Sequence, residues 1–337
     1  MDYSEVISEA RKHIGNYCKA CPVCDGKACK NTIPGPGAKG VGDTAVRNYD
    51  KWQERRVLTD CICENHSVDT GLTLFGKTFK YPFFAGPVGA VKLHYGDEYD
   101  DIAYNDILVN ACAENGIAAF TGDGTDENIM KGAASTIAAC GGLGIPTIKP
   151  WSVETVEKKL NLAKKSGAFA IAMDIDAAGL PFLKGQTPPA GRKSASELGR
   201  IITAARVPFI VKGIMTPNSA LKAVEAGASG IVVSNHGGRV LDQCPATCEV
   251  LESIADAVEG RAKILVDGGI RSGTDVFKAL AMGADCAVIA RPFVTALYGG
   301  KSRGIRLYIE KIASELEDTM MMCGANSLKD INSSMIL

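Results

Sequence analysis

The chain has 337 residues, of which 46% are hydrophobic, and a formal net charge of −1, so it can bury one large core such as a closed α/β barrel with extensions. The near-neutral charge excludes a strongly basic face, and nucleic acid is therefore not expected as a partner. No apolar stretch reaches the roughly 18 residues of a membrane span, and the first residues lack the features of a signal peptide, which favours a cytoplasmic protein that acts on small molecules.

A helix is predicted at the start of the chain, and residues 15–45 follow it as an irregular segment. This segment carries cysteines, glycines and prolines without an apolar period, which is typical of a loop-rich cap. Because few of its side chains are apolar, its order must come from something other than its own core. We predict an N-terminal helix and Cys-rich cap over residues 1–63 and a barrel over residues 64–337.

Four cysteines of this cap are closely spaced. Cys18, Cys21, Cys24 and Cys29 follow the pattern C-x2-C-x2-C-x4-C, which is similar to the spacing of thiolates that hold an iron–sulfur cluster. Zinc bound by four cysteines is the competing interpretation, and reduced structural thiols without a metal are the third, because the cytoplasm keeps thiols reduced. The two cysteines at 61–63 could lie nearby in space.

From about residue 80 the sequence alternates short apolar runs with amphipathic segments. Strands that alternate with helices predict a parallel sheet, and eight repeats close most simply into a (β/α)8 barrel; an open doubly wound sheet is the alternative. Several of the intervening helices begin at a Ser or Thr that can serve as N-cap. The eight predicted strands are 83–85, 118–120, 147–148, 169–173, 209–211, 230–233, 264–266 and 286–289.

Three polar motifs follow the last three predicted strands. They are SNHGGR at 234–239, DGGIRSG at 267–273 and ARP at 290–292. The carboxyl ends of barrel strands and the loops after them form the functional face of a barrel. The three motifs therefore meet at one site, where they supply a base, an anion-binding arginine and a phosphate cradle.

The second and third motifs predict a phosphate site. Gly268 and Gly269 allow the backbone to approach an anion closely, and Arg271 can bind phosphate oxygens through two N–H groups. Ala290 and Arg291 add backbone N–H groups and a second guanidinium between the seventh and eighth strands, where barrels commonly bind phosphate. The alternative interpretation is a pair of tight turns with surface arginines.

Three segments resemble the FMN-dependent 2-hydroxy acid dehydrogenases and oxidases, the group of glycolate oxidase and lactate oxidase. They read KGI at 212–214, SNHGGRVLD at 234–242 and DGGIRSGTDVFKAL at 267–280. A weaker similarity continues through AGPVG at 85–89 on one side and through residues 304–324 on the other. The resemblance covers most of the chain from about residue 55 and implies a TIM barrel that binds FMN without a covalent bond.

Carried over by position, the resemblance implies a complete FMN site. The FMN phosphate would bind at Gly269, Arg271, Ala290 and Arg291. Asp267 would bind the ribityl chain. Lys212 would face the N1–O2 edge of the flavin, where a cation stabilises the negative charge of the reduced ring. Ala290 stands where the family usually has Gly. The implied cofactor residues are Pro87, Val88, Gly89, Thr121, Lys149, Lys212, Ser234, Asp267, Gly268, Gly269, Arg271, Ala290 and Arg291.

The resemblance also implies the catalytic residues. His236 would be the general base that removes a proton from the substrate while hydride equivalents pass to flavin N5. Asp174 would orient and charge this histidine, and Arg239 would bind a substrate carboxylate or another anion. A lone histidine is more often structural, but this one follows a strand at the functional face of the barrel.

Several family positions are altered around the substrate. The family usually carries a second arginine shortly after the aspartate, but the segment between Asp174 and Arg192 contains no arginine, and Lys184 would replace it with a less directional charge. The family's Gln-x-Tyr reads Lys149-Pro150-Trp151 in this chain. We therefore expect Trp151 and Lys184 near the substrate, and a substrate that is bulkier or less acidic than lactate or glycolate.

The sequence thus predicts an FMN-dependent oxidoreductase that oxidises a 2-hydroxy acid or a related hydroxylated small molecule. One alternative is an FMN barrel that isomerises or reduces its substrate, as the type 2 isopentenyl diphosphate isomerases do. The other is a non-enzymic flavin–metal redox sensor or electron carrier. The resemblance further implies a homo-oligomer, a tetramer or octamer, and leaves the electron acceptor open.

Overall fold

The N-terminal part of the chain forms two helices and a hairpin before the barrel begins. The structure is a computed structural model that describes residues 2–64, 66–183, 185–187 and 190–337. Asp2 and Glu5 form a reciprocal capping box at the first helix, which satisfies backbone N–H groups that would otherwise lack partners. These elements are α1 (Tyr3–His13), α2 (Asp43–Glu54), β1 (Leu72–Leu74) and β2 (Lys77–Phe79).

Eight parallel strands form a closed barrel. They are β3 (Phe83–Ala85), β4 (Ala119–Thr121), β5 (Gly144–Ile148), β6 (Ile171–Asp174), β7 (Phe209–Ile214), β8 (Gly230–Val233), β9 (Lys263–Val266) and β10 (Cys286–Ile289). The strands follow one another around the barrel, and β10 pairs with β3 to complete the ring. Nearly every strand residue is buried, as expected for strands between a filled interior and an outer layer of helices.

The helices that link the strands pack around the outside. Four of them begin after a Ser or Thr whose side chain accepts a backbone N–H of the first turn: Ser152, Ser194, Thr216 and Ser272. The last helix is interrupted at Gly300 by a non-helical residue pair. The helices are α3 (Val91–Tyr95), α4 (Asp101–Glu114), α5 (Glu127–Ala139), α6 (Val153–Lys165), α7 (Ala195–Ala205), α8 (Pro217–Glu225), α9 (Thr247–Val258), α10 (Gly273–Ala281) and α11 (Arg291–Met322).

The structure confirms the predicted barrel. Each of the eight predicted strands overlaps a barrel strand, and the pairing of β9 and β10 with their neighbours excludes the open sheet. The helix α2 was not predicted, because its buried face mixes polar and apolar side chains, Thr44, Ala45, Asn48 and Trp52. The boundary between the N-terminal cap and the barrel, at residue 63, stays a prediction. Within the described ranges, no helix combines the length and apolar content needed to cross a membrane.

Candidate active site

A cavity of about 370 Å³ opens at the carboxyl ends of the barrel strands, and we call it the main cavity. It is lined by the loops after β3, β8, β9 and β10, which carry the predicted motifs, and by Pro36 of the cap. Most of the predicted site residues meet here, as a barrel requires of residues at strand ends. Those in the lining are Pro87, Val88, Gly89, Lys149, Lys212, His236, Arg239, Asp267, Gly268, Gly269, Arg271, Ala290 and Arg291.

The loop after β9 is held in place by α2. Gly268 and Gly269 both have positive φ angles, +89° and +84°, and a Cβ on Gly269 would lie 2.1 Å from the carbonyl oxygen of Asn48. Trp52 Nε1 also donates to the carbonyl of Gly268 at 2.8 Å. Glycine is therefore required at 269 both for the turn and for the close approach of α2.

Unpartnered polar atoms in this region fit a polar, anionic ligand such as FMN. Arg291 Nη1 and Asp267 Oδ1 are buried, and neither finds a hydrogen-bond partner within the described part of the chain. Buried polar atoms in folded proteins are normally hydrogen-bonded. A ligand that accepts from Arg291 and donates to Asp267 would supply the two missing hydrogen bonds. Arg271 is partly engaged, since its Nε donates to the carbonyl of Cys24 at 2.6 Å.

Asp174 lies between two lysines of the main cavity. Lys149 Nζ donates to its Oδ2 at 2.8 Å, and Lys212 Nζ lies 3.0 Å from its Oδ1. Burial alone would raise the pKa of Asp174, but the two ammonium groups outweigh it and hold this pKa well below its usual range. Burial alone would lower the pKa of Lys212, but Asp174 and Asp267 hold it above its usual value. Lys212 therefore presents a permanent positive charge to the main cavity.

His236 lies nearer to Asp176 than to its predicted partner Asp174, whose role toward the histidine stays a prediction. His236 Nδ1 lies 3.0 Å from Asp176 Oδ1 and 3.8 Å from Asp174 Oδ1. The reason is that β6 ends at Asp174 and a 3-10 turn over Ile175–Gly179 follows, which brings Asp176 beside the imidazole while Asp174 pairs with the lysines. A carboxylate at Nδ1 fixes the proton there and leaves Nε2 as the basic nitrogen.

Gly213 leaves room for the Asp176 carboxylate to contact His236. It interrupts the pairing of β7 with β8 as a bulge and has a φ of +103°. A Cβ at this position would lie 2.5 Å from Cγ of Asp176, closer than nonbonded atoms approach. The bulge and the missing side chain therefore position the carboxylate that orients His236.

Asp176→Asn is expected to lower kcat/KM by about 10²-fold or more, because the charge that stabilises the protonated imidazole is lost. Gly213→Ala is expected to act through the same carboxylate, so it should cost little further activity when added to Asp176→Asn. Steady-state kinetics of the two single variants and the double variant test this. Full activity of Asp176→Asn, or additive losses in the double variant, would contradict the assignment.

Three predicted residues are placed differently from the expectation. Ser234 and Thr121 are buried and do not line the main cavity; the Ser234 hydroxyl accepts the backbone N–H of His236 at 3.1 Å. Trp151 is also buried outside the lining, where its Nε1 donates to Asp123 at 2.7 Å, so its side chain has a structural role. Lys184 lies outside the described residues.

Arg239 lines the main cavity but is committed to the cap. Its Nη1 donates to the carbonyls of Gly35 and Gly37, both at 2.7 Å. Its Nη2 lies 3.1 Å from His94 Nε2. The arginine therefore fastens the cap over the cavity, and its contact with a substrate anion stays a prediction.

Sequence reasoning missed a buried ion pair in the wall of the main cavity. Asp123 follows β4, and its carboxylate accepts from Lys159 Nζ, from Trp151 Nε1 and from the backbone N–H of Lys149. The side chains of Asp123 and Lys159 are 0% and 6% exposed. Its position three residues after a predicted strand was the available signal, but its partner lies 36 residues away.

His94 also links the cap to the main cavity. Its Nδ1 accepts the backbone N–H of Gly35 at 3.0 Å, and its ring contacts the ring of Phe182 edge-on. Burial and the positive charge of Arg239 lower the pKa of His94 to about 3. The imidazole is therefore neutral at physiological pH.

Acid is expected to destabilise the protein through His94. Its pKa is about 3 in the folded chain and 6.5 as the reference value, so between these values the unfolded chain binds the extra proton and stability falls as pH falls. Between about pH 7 and about pH 5 the loss is about 2 kcal/mol. Denaturant unfolding at both pH values should show this loss in the unchanged protein and a smaller one in His94→Gln. Equal losses of stability in the unchanged protein and in His94→Gln would contradict the role of His94.

A second, smaller cavity adjoins the main cavity. It is lined by all four closely spaced cysteines, and it shares Pro36, Tyr95 and Arg291 with the lining of the main cavity. We call it the cysteine cavity. The cysteines at 61–63 do not line it, and Cys61 Sγ instead contacts the carbonyl of Met322. The pair therefore does not share the cysteine cavity with the other four cysteines.

Comparisons with known proteins agree on one family. The family model described as FMN-dependent dehydrogenase matches residues 36–184 and 182–337. An L-lactate oxidase of Lentilactobacillus hilgardii is 30% identical over 92% of this chain and 92% of that protein. A peroxisomal (S)-2-hydroxyacid oxidase of Arabidopsis thaliana is 50% identical, but the match spans 37% of this chain and about a third of that protein, 34%. A mandelate oxidase variant with (S)-mandelic acid superposes with a TM-score of 0.81 at 25% identity, covering 98% of this chain and 97% of that one.

Proposed function

Because the chain belongs to the family of FMN-dependent dehydrogenases, we propose that it oxidises the CH–OH group of a 2-hydroxy acid, or of a related hydroxylated small molecule, with FMN bound in the main cavity. The relatives named for their substrates act on lactate, mandelate or 2-hydroxy acids in general. The observation that carries the proposal is the His236–Asp176 pair. His236 lines the main cavity together with Lys212 and Arg291, and Nη1 of Arg291 has no partner within the described part of the chain.

The chain's own residues fit the cofactor. Arg271 and Arg291, with the backbone N–H groups of Gly269 and Ala290, would hold the phosphate, and Asp267 would accept from the ribityl hydroxyls. When bound, FMN supplies a two-electron acceptor. Lys212 places a buried positive charge where negative charge develops, and the neighbouring carboxylates hold that lysine in position.

His236 does the proton chemistry. Its Nε2 removes a proton from the substrate, and Asp176 keeps the other ring proton on Nδ1 and stabilises the imidazolium that forms. Its φ of +57° lies in the left-handed region that non-glycine residues rarely adopt. The Asn235 side chain, which accepts the backbone N–H of Gly237 and bonds Asn48, supports this strained turn.

The substrate wall of the main cavity is partly apolar. Ile129, Leu180, Phe182 and Leu183 line it, and they provide contact area for a substrate larger than lactate or glycolate. Nη1 of Arg239 is occupied by the carbonyls of Gly35 and Gly37, so a substrate carboxylate would bind through its other N–H groups or displace these contacts. Rapid turnover of lactate or glycolate would argue against the bulkier substrate. The homo-oligomer and the cytoplasmic location stay predictions.

Anaerobic mixing of the flavin-loaded protein with candidate substrates tests the proposal. We expect at least one 2-hydroxy acid from a panel that includes lactate, glycolate and mandelate to bleach the oxidised flavin without added reductant and to yield the 2-oxo acid. A flavin that dithionite bleaches but that no 2-hydroxy acid bleaches would contradict it. That result would favour an isomerase or reductase, or a redox sensor without a substrate.

A further inference from the structure

The four cysteines of the cap converge although their segment forms neither helix nor strand. Cys18, Cys21, Cys24 and Cys29 lie between the end of α1 and the start of α2 and all line the cysteine cavity. All four are free thiols of intermediate exposure. The chain reverses between them at two residues in the left-handed region, Ala20 with a φ of +41° and Gly26 with a φ of +84°.

The segment buries little apolar surface of its own. Ala20 and Ala38 are buried but have small side chains, and Val23 is 49% exposed. Three arginines from outside the segment bind its backbone: Arg11 at the carbonyl of Ala20, Arg271 at that of Cys24 and Arg239 at those of Gly35 and Gly37. A group bound by all four sulfurs would supply the central cross-link that such a segment lacks.

The four sulfurs are not gathered as closely as the ligands of one metal ion. Within the described residues, no three cysteine sulfurs lie within 4.8 Å of one another. Tetrahedral zinc with Zn–S bonds of about 2.3 Å brings its sulfurs to about 3.8 Å apart. In a [4Fe–4S] cluster each sulfur binds a different iron, so the sulfurs lie farther apart, and the C-x2-C-x2-C run is a spacing that such clusters use.

The charges around the cysteine cavity also suit a cluster. A [4Fe–4S]²⁺ core with four thiolates has a net charge of about 2− by addition of formal charges. Arg291 lines the cavity, and its Nη1 has no partner within the described chain. Arg271 is fixed beside Cys24. These cations would offset the cluster's charge in a partly buried place.

We propose that Cys18, Cys21, Cys24 and Cys29 bind a [4Fe–4S] cluster in the cysteine cavity. Because Pro36, Tyr95 and Arg291 line both cavities, a single layer of side chains separates this one-electron centre from the main cavity. The assignment depends on the sulfur positions and does not require that the protein oxidise a 2-hydroxy acid.

Metal and sulfide analysis of anaerobically purified protein tests the assignment. We expect about four irons and about four acid-labile sulfides per chain, and an electron paramagnetic resonance signal of a [4Fe–4S]⁺ cluster after reduction by dithionite. Cys21→Ser and Cys24→Ser should lose most of the iron and sulfide. The matched control is Cys140→Ser, at the end of α5 and outside the cysteine cavity, which should keep both.

The flavin content of each variant reports folding independently. A Cys21→Ser protein that keeps its flavin but loses its iron supports the assignment. Stoichiometric zinc without iron or sulfide, absence of any metal, or iron that survives both substitutions would overturn it. If the variants fail to fold, the iron, sulfide and resonance signal of the unchanged protein still decide. None of these readouts depends on substrate bleaching.

Discussion

His236→Asn is expected to lower kcat/KM by about 10²–10⁴-fold while the protein keeps its flavin. Asparagine preserves polarity and approximate size but has no basic nitrogen, so the proton that Nε2 would remove stays on the substrate. The hydrogen bond of the backbone at 236 to Ser234 is retained, and the fold should survive. Stopped-flow measurement of flavin bleaching under anaerobic conditions gives the rate directly.

The control for this variant is His66→Asn. His66 is exposed and pairs with Glu64 away from the main cavity, so its replacement should leave the bleaching rate unchanged. A His236→Asn protein that bleaches as fast as the unchanged protein would contradict the assigned base. Such a result would favour a redox sensor, whose response does not need a proton acceptor at this position.

Asp123→Ala is expected to destabilise the protein by about 3–5 kcal/mol. The substitution leaves the Lys159 ammonium buried without its carboxylate, at 6% exposure, and it removes the acceptors of Trp151 Nε1 and of the Lys149 backbone N–H. The free energy of unfolding, from denaturant titrations followed by circular dichroism, measures the loss.

Two further variants test whether the stability loss of Asp123→Ala comes from the buried ion pair. Asp123→Leu combined with Lys159→Met removes both charges and should recover much of the lost stability, because an apolar pair of similar volume avoids the buried charge. Glu127→Ala breaks the exposed pair with Lys131 and should leave stability unchanged. A loss from Asp123→Ala no larger than that of Glu127→Ala would contradict the role of the buried pair.

The barrel could be predicted because its signals are local. Each predicted apolar run, two to five residues long, gives a strand, and a Ser or Thr at the helix start marks most of the boundaries between the strands. The glycine-rich motifs at 234–239 and 267–273 follow strands β8 and β9 directly, so their meeting at one face follows from the barrel alone. The family resemblance carried by these motifs is confirmed.

The remaining site features depend on contacts between distant residues. The choice between Asp174 and Asp176 depends on where β6 ends and how the next turn runs, which an apolar pattern does not reveal. The pairing of Asp123 with Lys159, and the attachment of α2 through Trp52, join segments far apart in sequence. Trp151 was assigned to the substrate because it stands where the family has the tyrosine of Gln-x-Tyr, but its indole donates to a buried carboxylate.

Comparison of FMN and riboflavin binding to the flavin-free protein tests the central claim most directly, because the two differ only in the phosphate that Arg271, Arg291 and the glycine-lined loop would hold. Isothermal titration should give one tightly bound FMN per chain and riboflavin binding weaker by about 10²-fold or more, as expected for the loss of charge-assisted hydrogen bonds. Equal affinities for the two flavins, or no binding of either, would contradict a phosphate site in the main cavity.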